Sequence, residues 1–216
     1  ITEKPPQAPG ALAELLTRLG EELGLADLRP QFYPFARAAL LAQRGPRVAI
    51  APLARIAARE AQYRWLLPLF QQRYMMVARA ERWPRFAALD NMLALRVVTL
   101  RGAIGAKRLR ELQYAHVGEE NSYEHMLRRL DEESTDLAYI SQPLFVGAVQ
   151  SSGRKLRDYQ FGPVLDQLEI WLAGSPDFSD ADVQALRAAL ERLKRDGSYA
   201  RFLQKANLAP DIIAIR

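Results

Sequence analysis

The sequence predicts an α/β fold in which short strands and helices alternate along the chain. Apolar residues recur at helical spacing in some segments and form short β-like runs in others, and the two kinds alternate as far as residue 172. Such alternation is typical of a mostly parallel sheet flanked by helices and joined by right-handed crossovers. The last quarter predicts only helices, which suggests that the C-terminal part returns to the first part of the chain.

The first half of the chain opens with an amphipathic helix. Its leucines recur every three or four residues between Gly10 and Gly24, and the two glycines bracket the pattern. After it the period changes, and β-like runs rich in valine, isoleucine and aromatic residues predict strands. In order, we expect a helix over 10–24, a strand over 31–35, a helix over 36–43, strands over 47–51 and 73–79, a helix over 86–92, a strand over 95–100 and a helix over 104–114.

Two helix starts in the second half carry clear capping signals. Asn121-Ser122 with Glu124 predicts the N-terminus of a helix that ends at Leu130, and Ser179 followed by Asp182 predicts the N-terminus of another. The remaining expected elements are a strand over 136–141, a short helix over 143–150, a strand over 168–172 and a terminal helix over 198–206.

Composition excludes several classes of protein. The 216 residues are 49% hydrophobic and 25% charged, which indicates a globular chain, and no apolar run approaches the roughly 20 residues that span a bilayer. Because the chain has no cysteine, it has no disulfide, iron–sulfur cluster or thiol nucleophile. His116 and His125 are the only histidines, too few for a typical metal site or triad. We therefore expect no catalytic residues, no metal and no cofactor.

The positive charge does not predict a nucleic-acid partner. The chain carries a net charge of +5, but its basic residues are spread along the sequence and interleaved with acids. The densest group lies in 107–110, and Glu111 follows it directly. Since a phosphate-binding surface needs many unopposed cations, these residues indicate solvated helix faces. The sequence starts at Ile1 rather than Met, and we expect that an upstream signal peptide has been removed.

Five segments stand out in order along nearly the whole chain: Thr2–Pro6, Tyr33–Ala38, Leu53–Glu60, Trp65–Phe70 and Ala188–Tyr199. Each segment alone is a weak signal, and their order and spacing together make a specific pattern. The pattern resembles the type II periplasmic solute-binding proteins, and within them the amino-acid receptors of ABC transporters (family 3).

The resemblance implies a two-lobed "Venus flytrap" with a ligand cleft between its lobes. Lobe 1 would comprise 1–78 with 168–216 and lobe 2 would comprise 80–165, with hinge strands near 74–80 and 164–167. In such receptors the two lobes close around the ligand, and a membrane permease recognises the closed conformation. The resemblance therefore also implies a monomeric periplasmic protein with a small-molecule ligand and a permease or sensor as partner.

In lobe 1 the resemblance assigns the ligand carboxylate to Arg59. The arginine that ends this motif in the family binds the ligand's α-carboxylate, and a guanidinium matches a carboxylate in bidentate fashion. Phe35 is a candidate to stack on the ligand. Small hydroxyl residues that assist in the family are replaced here by Ala51 and Ala54, and the threonine of the motif is Ile56.

Elsewhere the family pocket is also altered. Gly102, Ala103 and Ile104 stand where the family has Gly-Ser-Thr, so that only backbone amides and a helix dipole remain for an anion. Ser141 replaces the acid that receives the ligand ammonium, and Lys4 replaces an aromatic residue. Because a buried charge without its partner costs several kcal/mol, a standard α-amino acid is not the expected ligand.

Two interpretations from different classes follow. The leading one is a non-catalytic solute-binding protein for a small ligand, anionic and atypical of amino-acid receptors. The alternative is a degenerate flytrap that acts as a sensor or as a protein–protein recognition module. A LysR-like effector domain has a related fold but lacks support from the opening segment. Catalysis by carboxylates such as Glu119 and Glu120 is disfavoured, because acidic runs of this kind are usually solvated.

Overall fold

The computed structural model describes residues 10–25, 30–87, 92–206 and 208. The chain divides into two units, one formed by residues 1–71 with 168–216 (unit 1) and the other by residues 72–167 (unit 2). The lobes and hinges expected from the sequence stay predictions. Lys4 lies outside the described residues.

The helices of the described ranges agree closely with the periodic segments of the sequence. They are α1 (Ala11–Glu22), α2 (Phe35–Arg44), α3 (Trp83–Ala87), α4 (Gly105–Glu111), α5 (Tyr123–Asp131), α6 (Gln142–Ser151), α7 (Asp180–Arg195) and α8 (Ser198–Lys205). Both predicted caps are confirmed, because the Ser122 hydroxyl accepts the His125 amide and Ser179 forms a reciprocal capping box with Asp182.

Six strands form a mixed sheet, which confirms the α/β fold class. The strands are β1 (Ala49–Ala54), β2 (Arg64–Arg79), β3 (Arg96–Leu100), β4 (His116–Glu120), β5 (Leu137–Ser141) and β6 (Tyr159–Gly174), hydrogen-bonded in the order β1-β6-β2-β5-β3-β4. β3 runs parallel to both β4 and β5, whereas β2 with β5 and β1 with β6 are antiparallel.

In unit 1, helices α1, α7 and α8 pack together. Leu15 and Leu19 are buried on one face of α1, as the leucine spacing predicted. The α1 carboxylate of Glu22 binds Arg192 of α7, and the hydroxyl of Tyr199 in α8 donates to a carbonyl of β2. The terminal helices therefore close the core of this unit.

In unit 2, the core lies between the sheet and the helices that follow β3 and β5. Phe86, Val97, Leu109 and Tyr139 belong to one cluster of buried side chains. The cluster packs β3, β5 and α4 together, and the candidate site residues of this unit lie in the turn after β3 and at the C-terminal end of β5.

Several expectations differ from the structure. The strands expected over 73–79 and 168–172 are parts of the longer β2 and β6, which each begin well before the expected residue. The strand expected over 31–35 is wrong: the chain is irregular there and α2 begins at Phe35, directly after Pro34, which occupies its N-cap. Strand β4 was not predicted, because its sequence His-Val-Gly-Glu-Glu carries little apolar alternation and pairing with β3 creates the strand. The helix expected over 86–92 corresponds to α3, which begins earlier, at Trp83, and is described as far as Ala87.

Candidate functional site

Arg59 ends a short 3-10 helix, Ala57–Arg59, that follows β1. Its side chain is half-buried, and its Nη1 donates to the carbonyl oxygen of Ala54, the last residue of β1, at 3.4 Å. Its backbone amide donates to the carbonyl of Ile56 at 2.9 Å. The turn therefore places this guanidinium beside the C-terminal end of a buried strand.

Phe35 supplies an aromatic surface for the same guanidinium. Its side chain is buried where α2 begins, and the Arg59 Cζ lies 5.6 Å from its ring centroid, within the range of cation–π attraction. Three sequence-predicted residues of unit 1, Arg59, Phe35 and Ala54, are thus brought together. The neighbouring Glu60 carboxylate binds Arg55.

In unit 2, residues Gly102, Ala103 and Ile104 form the turn between β3 and α4. Gly102 has a left-handed backbone with φ of 74°, which favours glycine. The amide of Ala103 donates to the carbonyl of Leu100 at 3.2 Å, so that this donor is used within the turn. Since α4 has only seven residues, the helix dipole at Ile104 is small.

Ser141 ends β5 and is the N-cap residue of α6. Its side chain is fully buried, but its hydroxyl makes no hydrogen bond within the described residues and does not cap the helix. A buried hydroxyl without a partner loses its hydration without compensation. Ser141 therefore offers a neutral donor and acceptor at a position where the resemblance implied a negative charge.

Unit 2 also contains a polar cluster that the sequence did not predict. The Asp166 carboxylate of β6 accepts hydrogen bonds from the Tyr139 hydroxyl at 2.7 Å and from Arg108 Nε at 2.9 and 3.1 Å. The Tyr139 ring stacks on Tyr74, and burial is the main cause that raises the pKa of the Tyr139 hydroxyl. No local motif joins these residues, which lie on four different elements.

A small open depression of about 200 Å³ lies in unit 2 at the start of β3 and β4. Its two guanidinium groups are already bound, Arg96 to Asp136 and Arg129 to Glu120. Both arginines therefore have a structural role in these ion pairs, and we propose no ligand for the depression.

The described residues lack two other features that would indicate a function. They contain no group of three or more histidine, aspartate or glutamate side chains placed to hold a metal ion. None of their helices has the length and apolar character needed to cross a membrane.

Comparison with known proteins gives many structural neighbours but no match in sequence. No protein-family profile and no curated protein matches the chain. The ligand-binding core of GluR0 from Nostoc punctiforme, in complex with L-glutamate, aligns with a TM-score of 0.77 at 19% identity, over 95% of both chains.

Two further neighbours come from Streptococcus pneumoniae and T. maritima. The amino-acid ABC transporter substrate-binding protein AbpA of Streptococcus pneumoniae, bound to L-arginine, gives a TM-score of 0.78 at 15% identity over 95% of this chain and 86% of that one. A mutant of ArgBP from T. maritima gives 0.75 at 14% identity over 93% and 85%. At these identities the neighbours show the fold, which is the fold that the sequence resemblance predicted.

Proposed function

We propose that this chain, which has the fold of amino-acid substrate-binding proteins, is a non-catalytic solute-binding protein that holds the anionic group of a small ligand on Arg59. The arrangement of Arg59 over Phe35 carries the proposal. A guanidinium that lies over an aromatic ring and donates to the carbonyl of Ala54 is oriented before a ligand arrives, so that less side-chain entropy is lost on binding.

The chemistry around Arg59 and Ser141 favours a carboxylate without an α-ammonium group. A guanidinium donates two parallel N–H groups to a carboxylate, which no neutral ligand matches. Ser141 carries no charge that could neutralise an ammonium group. A carboxylate without that group, such as a 2-hydroxy or 2-keto acid, therefore suits Arg59 and the loss of the family's acid better than the corresponding amino acid.

The other residues assigned from the resemblance extend the proposal. In unit 1 Ala54 would leave space where the family has a hydroxyl. Gly102, Ala103 and Ile104 stay candidates that the resemblance assigns in unit 2. Lys4 is retained as a candidate, outside the described residues. We propose an extracytoplasmic, monomeric protein whose partner is a membrane permease.

A paired ligand screen tests the proposal. Thermal shift and calorimetry would compare L-lactate with L-alanine, and other carboxylates with their amino-acid counterparts, on the unmodified chain. We expect stabilisation by members without an ammonium group. The stabilisation should be lost in Arg59→Ala and kept in Arg18→Ala, because Arg18 is an exposed arginine of the same unit whose partner is Glu21. If no carboxylate stabilises the chain and Arg59→Ala behaves like the parent in every titration, the proposal is wrong.

An alternative function, protein recognition in a sensor or scaffold, is favoured by one observation. Leu40 and Leu41 on α2 expose 44% and 37% of their surface, next to the exposed Arg37 and Arg44 on the same helix face. Exposed apolar residues grouped in this way often mark protein contacts. A carboxylate ligand with Arg59-dependent affinity would support transport, whereas failure of every solute would support recognition.

A further inference from the structure

The guanidinium of Arg55, just beyond β1, lies in a corner formed by two indole rings. Its Cζ is 5.3 Å from the ring centroid of Trp65 and 4.6 Å from that of Trp171. The two rings are 6.1 Å apart and inclined by 77°, so they present nearly perpendicular walls. Both distances fall within the range at which an indole face attracts a cation. We call Trp65, Trp171 and Glu60 the indole corner.

Negative charge completes the corner. Glu60 accepts a hydrogen bond from Arg55 Nε at 3.1 Å and a second one from Nη2. Glu169 adds a second carboxylate, which accepts the Nε1–H group of Trp171 at 3.1 Å. Two aromatic faces, a bidentate carboxylate and a further negative charge match a planar cation with N–H donors at its edge.

The walls are held by contacts that do not involve Arg55. Trp65 donates its indole N–H to the carbonyl of Glu60 at 3.2 Å and packs against Tyr63 with ring centroids 6.0 Å apart. Trp171 is buried and lies in the ladder of β6 opposite Leu53. Removal of the Arg55 side chain therefore leaves two fixed indole walls and a carboxylate without its cation.

The corner is open to solvent. The Arg55 side chain is 34% exposed and that of Glu60 is 49% exposed. An arginine at this level of exposure can leave by rotation about its own side-chain bonds, because water solvates the guanidinium it releases. An external cation of similar shape can then compete for the same walls.

We propose that the indole corner is a binding site for organic monovalent cations of the guanidinium type, which Arg55 occupies from within in the free protein. The ligand class is opposite in charge to the one proposed for Arg59. The two proposals therefore succeed or fail independently.

The test uses the corner's own fluorescence. The chain has three tryptophans, and Trp83→Phe leaves Trp65 and Trp171 as the remaining two. In this background we expect Arg55→Ala to give a saturable change in tryptophan emission with millimolar N-methylguanidinium at constant ionic strength. The Kd should be at least about tenfold lower than in the chain that keeps Arg55, because the internal competitor is gone.

Two control variants separate the corner from general effects. Arg47→Ala removes an arginine that lies 5.1 Å over Phe178 and pairs with Asp182, and it should give no gain in affinity because a single ring remains. Trp171→Leu combined with Arg55→Ala should abolish the gain. A folded Arg55→Ala chain, with unchanged circular dichroism, that shows no saturable response would overturn the proposal.

A measurement on the unmodified chain serves if Arg55→Ala does not fold. The Nε–H resonance of Arg55 should be shifted upfield by the two indoles, and added N-methylguanidinium should move it towards the position of a solvated arginine. A resonance that stays in place throughout the titration would show that Arg55 is a fixed structural group and would overturn the proposal.

Discussion

The Asp136 carboxylate accepts three hydrogen bonds from Arg96 at the start of β3. The backbone amide and Nε of Arg96 donate to one carboxylate oxygen at 2.9 and 3.0 Å, and Nη2 donates to the other at 2.8 Å. Arg82 adds a bond at 2.9 Å. The bond to the Arg96 side chain is the largest cause that lowers the pKa of Asp136 from 3.8 to about 2.

This pKa shift predicts a stability effect that depends on pH. Because the folded pKa is lowered, the ionised Asp136 stabilises the fold fully above pH 3.8, and the effect is lost as pH falls towards about 2. Asp136→Asn should therefore lower the free energy of unfolding by about 2 kcal/mol at pH 7 and by less at pH 3. Urea unfolding at both pH values measures it.

The control for that prediction is Glu133→Gln. Its carboxylate is 61% exposed and lies 3.7 Å from Arg82, so its loss should change stability by less than about 0.5 kcal/mol. An Asp136→Asn penalty that is equal at pH 3 and pH 7 would contradict the role given to its charge.

Two glycines should respond oppositely to alanine. A Cβ at Gly105 would lie 2.0 Å from Oγ1 of Thr99 and 3.0 Å from a ring carbon of Tyr139, so Gly105→Ala should destabilise unit 2 by about 1–3 kcal/mol. Nothing lies within 4 Å of a Cβ at Gly147 in α6, where alanine should stabilise by about 0.5–1 kcal/mol. Thermal unfolding compares the two, and equal effects would refute the assigned contact.

Two serines at helix N-caps should also differ. The Ser179 hydroxyl accepts the Asp182 amide at 3.2 Å, so Ser179→Ala should cost about 1 kcal/mol. The Ser141 hydroxyl has no hydrogen-bond partner among the described residues, so Ser141→Ala should leave the stability of the free protein unchanged or raise it. Denaturant unfolding of both variants checks this, and a comparable loss in Ser141→Ala would show that its hydroxyl contributes to stability in the free protein.

The Tyr139 hydroxyl should contribute measurably to the stability of unit 2. It donates to the charged Asp166 at 2.7 Å, and Tyr139→Phe should cost about 1.5–3 kcal/mol because hydrogen bonds to charged groups are the stronger ones. Tyr33→Phe is a matched control, since its exposed hydroxyl donates to Gln31 at the same distance. Chemical denaturation of both variants measures the two losses. Equal losses would contradict the greater strength expected of the bond to a charged partner.

Local patterns predicted most of the elements but little of the site. Leucine spacing predicted α1, and the Ser179–Asp182 pair predicted the start of α7, because both signals lie within a few consecutive residues. Strand β4 was missed because pairing with β3 creates it. The stretch before Phe35 has a β-like composition but is irregular, because α2 begins at Phe35 with Pro34 as its N-cap.

The sequence by itself determined the α/β class, the capped starts of α5 and α7 and the position of Arg59 within its motif, since each depends on the order of neighbouring residues. The tertiary structure decided that Arg59 rests on Phe35, that the Ser141 hydroxyl is buried with no hydrogen-bond partner among the described residues, and that Arg55 meets both Trp65 and Trp171. These contacts join residues from separate strands and turns. Only the packing of those elements brings such side chains within a few ångströms of each other.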